Sequence, residues 1–183
     1  MDIFLVRHGE AAASWGKDPD PGLSPLGKTQ ARATADVLLA RIDSPVEIIS
    51  SPLQRAQETA EPLARALGLQ IAIDDAYREV PAPVPLAQRQ TWLRQFMQQG
   101  WSEQPEELCH WRDRILDQLR ELTTPTVIFT HFLVLNAVVG HLLKRAEILH
   151  FWPDNASITH LKLDRGALVL EELGTQLDRS VVN

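Results

Sequence analysis

The sequence predicts an α/β fold, a three-layer α/β/α sandwich with a mainly parallel central sheet and a late antiparallel edge strand. Short apolar, β-branched segments alternate with longer helical segments through most of the chain. Near the C-terminus, two segments of alternating polarity flank "DRG", which indicates a β-hairpin. Because strands that alternate with helices are typical of a parallel sheet covered on both faces, these patterns favour a single layered domain over residues 1–183.

The first strand and the first helix have clear boundaries. "DIFLV" (2–6) is a short apolar segment of the kind found in buried strands. Ser24 precedes Pro25, the combination of an N-cap with a proline in the first helical turn, and the helix is predicted to end at about Arg41. Its helical spacing predicts five buried side chains, those of Ala31, Ala35, Leu38, Leu39 and Ile42.

A second strand and helix repeat this arrangement. "VEIIS" (46–50) is a short strand, and the following helix again begins with Ser-Pro, so that Ser51 is predicted as the N-cap and Pro52 as the first helical residue. Pro62 predicts a kink or a break, because proline removes a backbone donor. Gly68 is predicted to end the helix.

The middle of the chain changes character after a brief strand, "QIAI" (70–73). "PAPVP" (81–85) fits neither a regular helix nor a central strand. Two helices are predicted after it, at about 86–99 and 105–123. We interpret 81–123 as a helical insertion that caps the site.

The last third returns to the layered pattern. "TVIFTH" (126–131) is the strongest strand segment, and an apolar helix is predicted at about 132–143. The segments 157–163 and 167–173 form the predicted hairpin.

Composition limits the possible partners. The 183 residues carry a net charge of −6, which argues against nucleic acid or an anionic membrane as the main partner. Cys109 is the single cysteine and excludes an intrachain disulfide. No apolar segment is long enough to span a bilayer and no signal peptide is recognisable, so the prediction is a cytoplasmic protein. The sequence does not predict an oligomeric state.

Chemically versatile residues follow three of the predicted strands. In parallel sheets ligands bind beyond the carboxyl ends of the strands, so these residues are expected at one edge. Arginine guanidinium groups suit phosphate oxygens, and histidine can serve as nucleophile, acid, base or donor. A helix that begins near Pro52 adds free backbone donors to such an anion site. The set is Arg7, His8, Arg55, Glu79 and His131.

Five stretches of the sequence resemble the histidine phosphatase superfamily, which includes the phosphoglycerate mutase-like phosphatases. They are "LVRHGE" (5–10), "LSPLGKTQA" (23–31), "SSPLQRAQETA" (50–60), "REV" (78–80) and "IFTH" (128–131). The resemblance covers residues 2 to about 80 and resumes near 126–160.

The resemblance implies a role for each residue of the set. His8 would attack phosphorus and form a phosphohistidine, with its other ring nitrogen held by a backbone carbonyl near Gly9. Arg7, Arg55 and His131 would bind the transferred phosphoryl group.

A carboxyl group is also expected to act as acid and base in this family. Glu79 would protonate the leaving oxygen and then assist water. Asp74 and Asp75 are close enough in sequence to be alternatives for that role.

Three positions depart from the family pattern. Ala11 and Ser14 stand where many relatives have Thr or Ser and then Asn, and Ser14 is a candidate phosphate donor. Phe132 replaces a usual glycine after the second histidine, where its ring either narrows the pocket or packs into the following helix.

The predicted function is a metal-independent phosphatase that hydrolyses a phosphomonoester of a small metabolite through a phosphohistidine, with no cofactor. Two alternatives of related chemistry are a phosphoglycerate-type mutase and a phosphoprotein phosphatase. A non-catalytic phosphate-binding module is the alternative from another class.

Overall fold

A computed structural model describes residues 1–13 and 18–177. Its centre is a six-stranded sheet with the strand order β3-β2-β4-β1-β5-β6. Strands β3, β2, β4 and β1 pair in parallel, whereas β5 pairs antiparallel with both β1 and β6. The strands are β1 (Asp2–Arg7), β2 (Glu47–Ser50), β3 (Ile71–Ile73), β4 (Thr126–Thr130), β5 (Ile158–Asp164) and β6 (Ala167–Glu172).

Helices cover both faces of the sheet, which confirms the predicted three layers. They are α1 (Pro25–Arg41), α2 (Gln54–Leu67), α3 (Arg89–Phe96), α4 (Glu106–Glu121) and α5 (Phe132–Leu142). Alternate residues of β1 point to opposite faces, as the pleat of a strand requires. Phe4 and Val6 pack in the cluster with α1 and α2, and Ile3 and Leu5 pack in the cluster with α4 and α5. None of the helices in the described ranges is both long and apolar enough to cross a membrane.

The start of α1 is as predicted. The Ser24 hydroxyl accepts a hydrogen bond from the Gly27 N–H at 3.0 Å, Pro25 is the first helical residue, and the helix ends at Arg41. Leu39 was expected in the core, but its side chain lies on the outer face of α1 and is 37% exposed.

The start of α2 differs from the prediction. This helix begins at Gln54, and Ser51 is not its cap. The first-turn N–H of Gln54 instead bonds to the Asp20 carboxylate at 2.8 Å. Pro62 does not break α2, because Leu63 and other residues around it are packed in the core.

Residues with positive φ angles end α2 and form the turn of the C-terminal hairpin. Gly68 has a φ of 66° and ends α2 as predicted. Arg165 and Gly166, with φ values of 49° and 81°, form the turn of the β5–β6 hairpin. This pair of positive φ angles is the type I′ pattern that matches the twist of two-residue hairpins.

The segment 81–123 contains both α3 and α4. Ile115 and Leu119 of α4 are fully buried in the core beside α5. Leu93 and Phe96 of α3 pack in a separate apolar cluster with Val80 and Leu133. The division of the chain into a domain with a cap over the site remains a prediction.

Candidate active site

The site forms at the carboxyl ends of two adjacent strands. His8 directly follows β1 and His131 directly follows β4, and the two ring centroids are 5.2 Å apart. The backbone N–H of His8 donates to the Thr130 carbonyl at 2.9 Å, so β-sheet pairing fixes the spacing of the two histidines. The two histidines meet at one edge of the sheet, and both side chains are buried.

The ring of His8 is held at both nitrogens. Its Nδ1 lies 2.7 Å from the Gly9 carbonyl oxygen, and its Nε2 lies 3.1 Å from the Nε of Arg55. A carbonyl only accepts and a guanidinium only donates, so Nδ1 carries the hydrogen and Nε2 carries the lone pair. Burial, reinforced by the charges of Arg55 and Arg7, holds the pKa of His8 well below its ordinary value. The imidazole is therefore neutral.

Gly9 is required by close packing at this turn. A Cβ at Gly9 would lie 2.7 Å from the Gly27 carbonyl oxygen, closer than a side chain can approach backbone. The Gly9 N–H donates to the Thr59 hydroxyl at 3.0 Å, and that hydroxyl donates to the Arg55 carbonyl at 2.6 Å. Sequence reasoning missed Thr59; its position one helical turn after Arg55 was the available signal.

Arg7 is the last residue of β1 and directly precedes His8. Its Nη1 donates to the Pro153 carbonyl at 2.8 Å, and its guanidinium carbon lies 5.1 Å from the ring centroid of Phe132. Its Nε is buried without a partner among residues 1–13 and 18–177. Burial, opposed by the charges of Glu79 and Asp154, lowers the pKa of Arg7 to about 10. Arg7 remains a cation with donor capacity to spare.

Phe132 is buried at the start of α5. Its ring packs edge-on against Trp152, with centroids 5.4 Å apart, and also supports the Arg7 guanidinium. This packing places the ring directly beside a site residue.

Arg55 occupies the first turn of α2 and is buried. Its Nη1 is 3.9 Å from the Asp20 carboxylate, a long ion pair. Burial lowers the pKa of Arg55, with Glu79 and Asp20 acting in the opposite direction. The guanidinium stays charged because an arginine pKa starts far above neutrality.

His131 is anchored by Ser51. The His131 Nε2 lies 2.7 Å from the Ser51 hydroxyl, while its Nδ1 is buried with no partner within the described ranges. Burial, and then the charge of Arg55, keep the pKa of His131 well below its ordinary value.

Glu79 is the carboxyl group that joins the set. Its oxygens accept the Val80 N–H at 3.1 Å and the Leu133 N–H at 3.4 Å. Burial raises the pKa of Glu79, and these bonds together with Arg55 partly oppose the rise. A carboxyl group with a raised pKa is suited to donating a proton.

The two alternative carboxylates have other partners. Asp74 accepts the Ala76 N–H at 2.8 Å, and Asp75 pairs with Arg78 at 2.7 Å on the surface. Ser14, the candidate phosphate donor, lies outside the described residues. No group of three or more His, Cys, Asp or Glu side chains in 1–13 and 18–177 is arranged to hold a metal ion.

Two adjoining cavities lie beside Glu79. A narrow one is lined by Arg55, Glu79, Arg89 and Leu93 among others. A wider cavity of about 300 Å³ shares Glu79 and Arg89 and continues to Val84. Arg89 was not predicted as a site residue, because its place beside the cavity depends on the course of the irregular segment before α3.

This arrangement defines a class of protein: an α/β fold with two neutral, buried histidines and two arginines gathered at the carboxyl edge of its sheet. The chain belongs to the histidine phosphatase superfamily (branch 1), whose family model matches residues 3–176.

Several known proteins are similar to this chain. Glucosyl-3-phosphoglycerate phosphatase of Mycobacterium tuberculosis is 40% identical over 81 residues, which are 42% of this chain and 35% of that protein. The matches with curated relatives span between 21% and 49% of those proteins' lengths.

Solved structures match over nearly the whole chain. The mycobacterial glucosyl-3-phosphoglycerate phosphatase in complex with inorganic phosphate is 25% identical, with a TM-score of 0.72 and coverage of 96% of this chain and 97% of that one. The phosphoserine phosphatase of Entamoeba histolytica in complex with 3-phosphoglyceric acid is 21% identical, with a TM-score of 0.75 and coverage of 96% and 97%. The likeness to the Entamoeba structure, at 21% identity, shows that the two proteins share a fold.

Proposed function

We propose that the protein is a metal-independent phosphatase that hydrolyses a phosphomonoester of a small metabolite through a phosphohistidine on His8. The observation that carries this proposal is the fixed ring of His8, whose Nδ1 donates to Gly9 and whose Nε2 lone pair faces Arg55. A neutral imidazole held in this tautomer is a competent nucleophile.

The first step transfers the phosphoryl group to the enzyme. An incoming phosphate takes the Arg55 Nε–H away from His8 Nε2, and the released lone pair attacks phosphorus. The bond from phosphorus to the ester oxygen breaks, and Glu79 gives its proton to that oxygen. Arg7, Arg55 and His131 hold the three remaining phosphoryl oxygens, and Ser14 is a further candidate donor.

The second step reverses the proton transfer. Glu79, now a carboxylate, accepts a proton from water as the water oxygen attacks phosphorus. The bond from phosphorus to His8 Nε2 breaks, and inorganic phosphate leaves. The two steps restore the starting enzyme. The positive charge that a metal ion would supply comes from Arg7 and Arg55.

Hydrolysis is preferred over the alternatives for two reasons. A pure phosphate-binding module has no use for a buried carboxyl group beside the anion, yet Glu79 is buried there. The similar mycobacterial protein is named as a phosphatase of a small molecule, which supports a small substrate over a phosphoprotein. We place the substrate under a cap formed by 81–123, and a cytoplasmic location is still the prediction from sequence.

Trapping the intermediate tests the proposal. Wild-type protein quenched during turnover of a ³²P-labelled small phosphomonoester should carry an acid-labile, base-stable adduct. His8→Ala should carry none, whereas His110→Ala, which removes an exposed histidine of α4, should carry as much as wild type. Label retained in His8→Ala would contradict the assignment of His8 as nucleophile.

A further inference from the structure

Phe132 is a buried phenyl ring that contacts a cation of the proposed phosphate site. It is the first residue of α5 and directly follows His131. The ring is 3% exposed, and its centroid lies 5.1 Å from the guanidinium carbon of Arg7, within the range of a cation–π interaction. The start of α5 therefore places both this ring and the second histidine of the site.

The segment that holds the ring of Phe132 also holds Arg7. Trp152 packs against Phe132 with ring centroids 5.4 Å apart, and the next residue, Pro153, accepts a hydrogen bond from Arg7 Nη1 at 2.8 Å. The Trp152 carbonyl in turn accepts the Leu177 N–H at 2.9 Å, which ties the segment to a later part of the chain. One short segment thus fixes the ring and the guanidinium relative to each other.

The contacts of Arg7 leave part of its donor capacity free. Glu79 and Asp154 act on Arg7 through their charge, yet within the described ranges neither forms an ion pair with it. Its Nε is buried without a hydrogen-bond partner among residues 1–13 and 18–177. An aromatic face attracts a cation without a conventional hydrogen bond, whereas a carboxylate would occupy two of its N–H donors. The ring therefore holds Arg7 and leaves it donors for phosphoryl oxygens.

We infer that Phe132 is a positioning residue, whose ring holds the Arg7 guanidinium in the orientation that binds the phosphoryl group. This inference rests on the proposed function, in which Arg7 binds a phosphoryl oxygen. Without the ring, the long side chain of Arg7 keeps the Pro153 carbonyl but loses the contact with its guanidinium face. Phosphate binding must then restrict a more mobile side chain, which costs affinity.

Calorimetric binding of inorganic phosphate tests the inference without requiring turnover. Phe132→Leu removes the aromatic face and should weaken phosphate binding about 3- to 30-fold, the range for a partly desolvated cation–π contact. Phe132→Tyr, which keeps the ring, should retain most of the affinity. The matched control is Phe96→Leu, because Phe96 is buried in the same apolar cluster but stacks on Trp92 instead of a cation. This control should lose stability and keep its phosphate affinity.

A double-mutant cycle measures whether the ring acts through Arg7. In an Arg7→Gln background, Phe132→Leu should weaken phosphate binding by less than about twofold further, because the guanidinium that the ring holds is already gone. Equal losses in the two backgrounds, or equal losses in Phe132→Leu and Phe96→Leu, would overturn the inference, since both results indicate a general effect of packing.

The outcomes separate this inference from the proposed function. The covalent adduct on His8 tests hydrolysis, and phosphate binding tests Phe132. If the wild type binds phosphate but forms no adduct, the proposed function is in error, and the cycle still decides the role of the ring. If the wild type forms the adduct and Phe132→Leu binds phosphate as tightly as wild type, the phosphatase stands and the inference is wrong.

Discussion

The tripeptide Ser-Pro-Leu occurs twice, at 24–26 and at 51–53, and each copy precedes a helix on the same face of the sheet. In the first copy, Ser24 caps α1 and Leu26 is 52% exposed. In the second, the hydroxyl of Ser51 bonds to His131, and Leu53 is buried. The serine of this tripeptide therefore caps a helix in one place and bonds to a buried histidine in the other.

The difference arises from what surrounds each serine. Ser51 is fully buried, and its N–H pairs with the Phe129 carbonyl at 2.9 Å, so it continues the sheet and cannot begin the helix. Asp20, from a distant loop, supplies the cap acceptor that α2 would otherwise lack. The preference of serine for a helix N-cap is overridden when its backbone N–H is already paired with a neighbouring strand.

The largest expected effect is on kcat, at His131, the hydrogen-bond partner of Ser51. If the second copy supports catalysis, His131→Ala should lower kcat for p-nitrophenyl phosphate about 10²- to 10³-fold, because one preorganised donor to the phosphoryl oxygens is lost. Steady-state kinetics on protein shown to be folded by circular dichroism would measure this. A loss of less than about tenfold would be too small for that donor role.

The next prediction concerns how the free energy of unfolding depends on pH. His8 and His131 are held neutral when folded, since burial lowers the pKa of both, but they bind protons in the unfolded chain below about pH 6.5. The free energy of unfolding should therefore fall as the pH drops below 6.5, by up to about 1.4 kcal/mol per pH unit for each histidine. Glu79 acts oppositely, because its pKa is raised by burial and its contribution is lost as the pH rises through that value.

Urea unfolding between pH 5 and pH 8 would measure how steeply the free energy of unfolding changes with pH. Two other histidines, His141 and His150, also have a pKa lowered by burial and add to the wild-type value. The informative comparison is with His8→Asn, which should lose its share of the slope. An unchanged slope in that variant would show that His8 is not held neutral by the fold.

A smaller effect is expected for Ser51→Ala. Loss of one hydrogen bond to His131 should lower kcat roughly tenfold, the upper end for a neutral bond. The same change in a His131→Ala background should cost little further activity, because the two residues act through one contact. Full additivity of the two losses would show that Ser51 acts independently of His131.

The smallest effect on activity is expected at Ser24, in the first Ser-Pro-Leu copy. Ser24→Ala removes an N-cap and should lower the free energy of unfolding by about 1 kcal/mol, and its effect on kcat should be smaller than that of Ser51→Ala. Chemical denaturation and kinetics on the same preparations compare the two serines directly. Equal activity losses at both serines would remove the functional distinction between the copies.

These cases show what sequence can predict. Arg7 ends a strand, and His8 and His131 directly follow strands. The strand ends of a parallel sheet meet at one edge, so their meeting was predictable from local patterns. Ser51 was misread because its partner lies 80 residues away along the chain. No local pattern reports such a contact.

The positions of two further residues, Leu39 and Arg89, could not be predicted from the sequence for related reasons. The burial of α1 residues was predicted from helical spacing alone, and Leu39 failed because the apolar stripe of α1 is narrower than its composition indicates. Arg89 reads as one arginine among several in the sequence. Its place at the cavity depends on the path of 81–88, an irregular stretch that follows no periodic pattern.

The irregular path of 81–88 also bears on how such a protein diversifies. Most side chains of this stretch are exposed, so its sequence is free to drift at little cost to folding. The groups that would bind phosphate are instead held at strand ends, as Arg7 and His131 are, or in the first turn of α2, as Arg55 is. Substitutions along 81–89 can therefore reshape the wall of the cavity of about 300 Å³ while the two histidines at the strand ends stay in place, so that cavity shape and the histidine pair can change independently of one another.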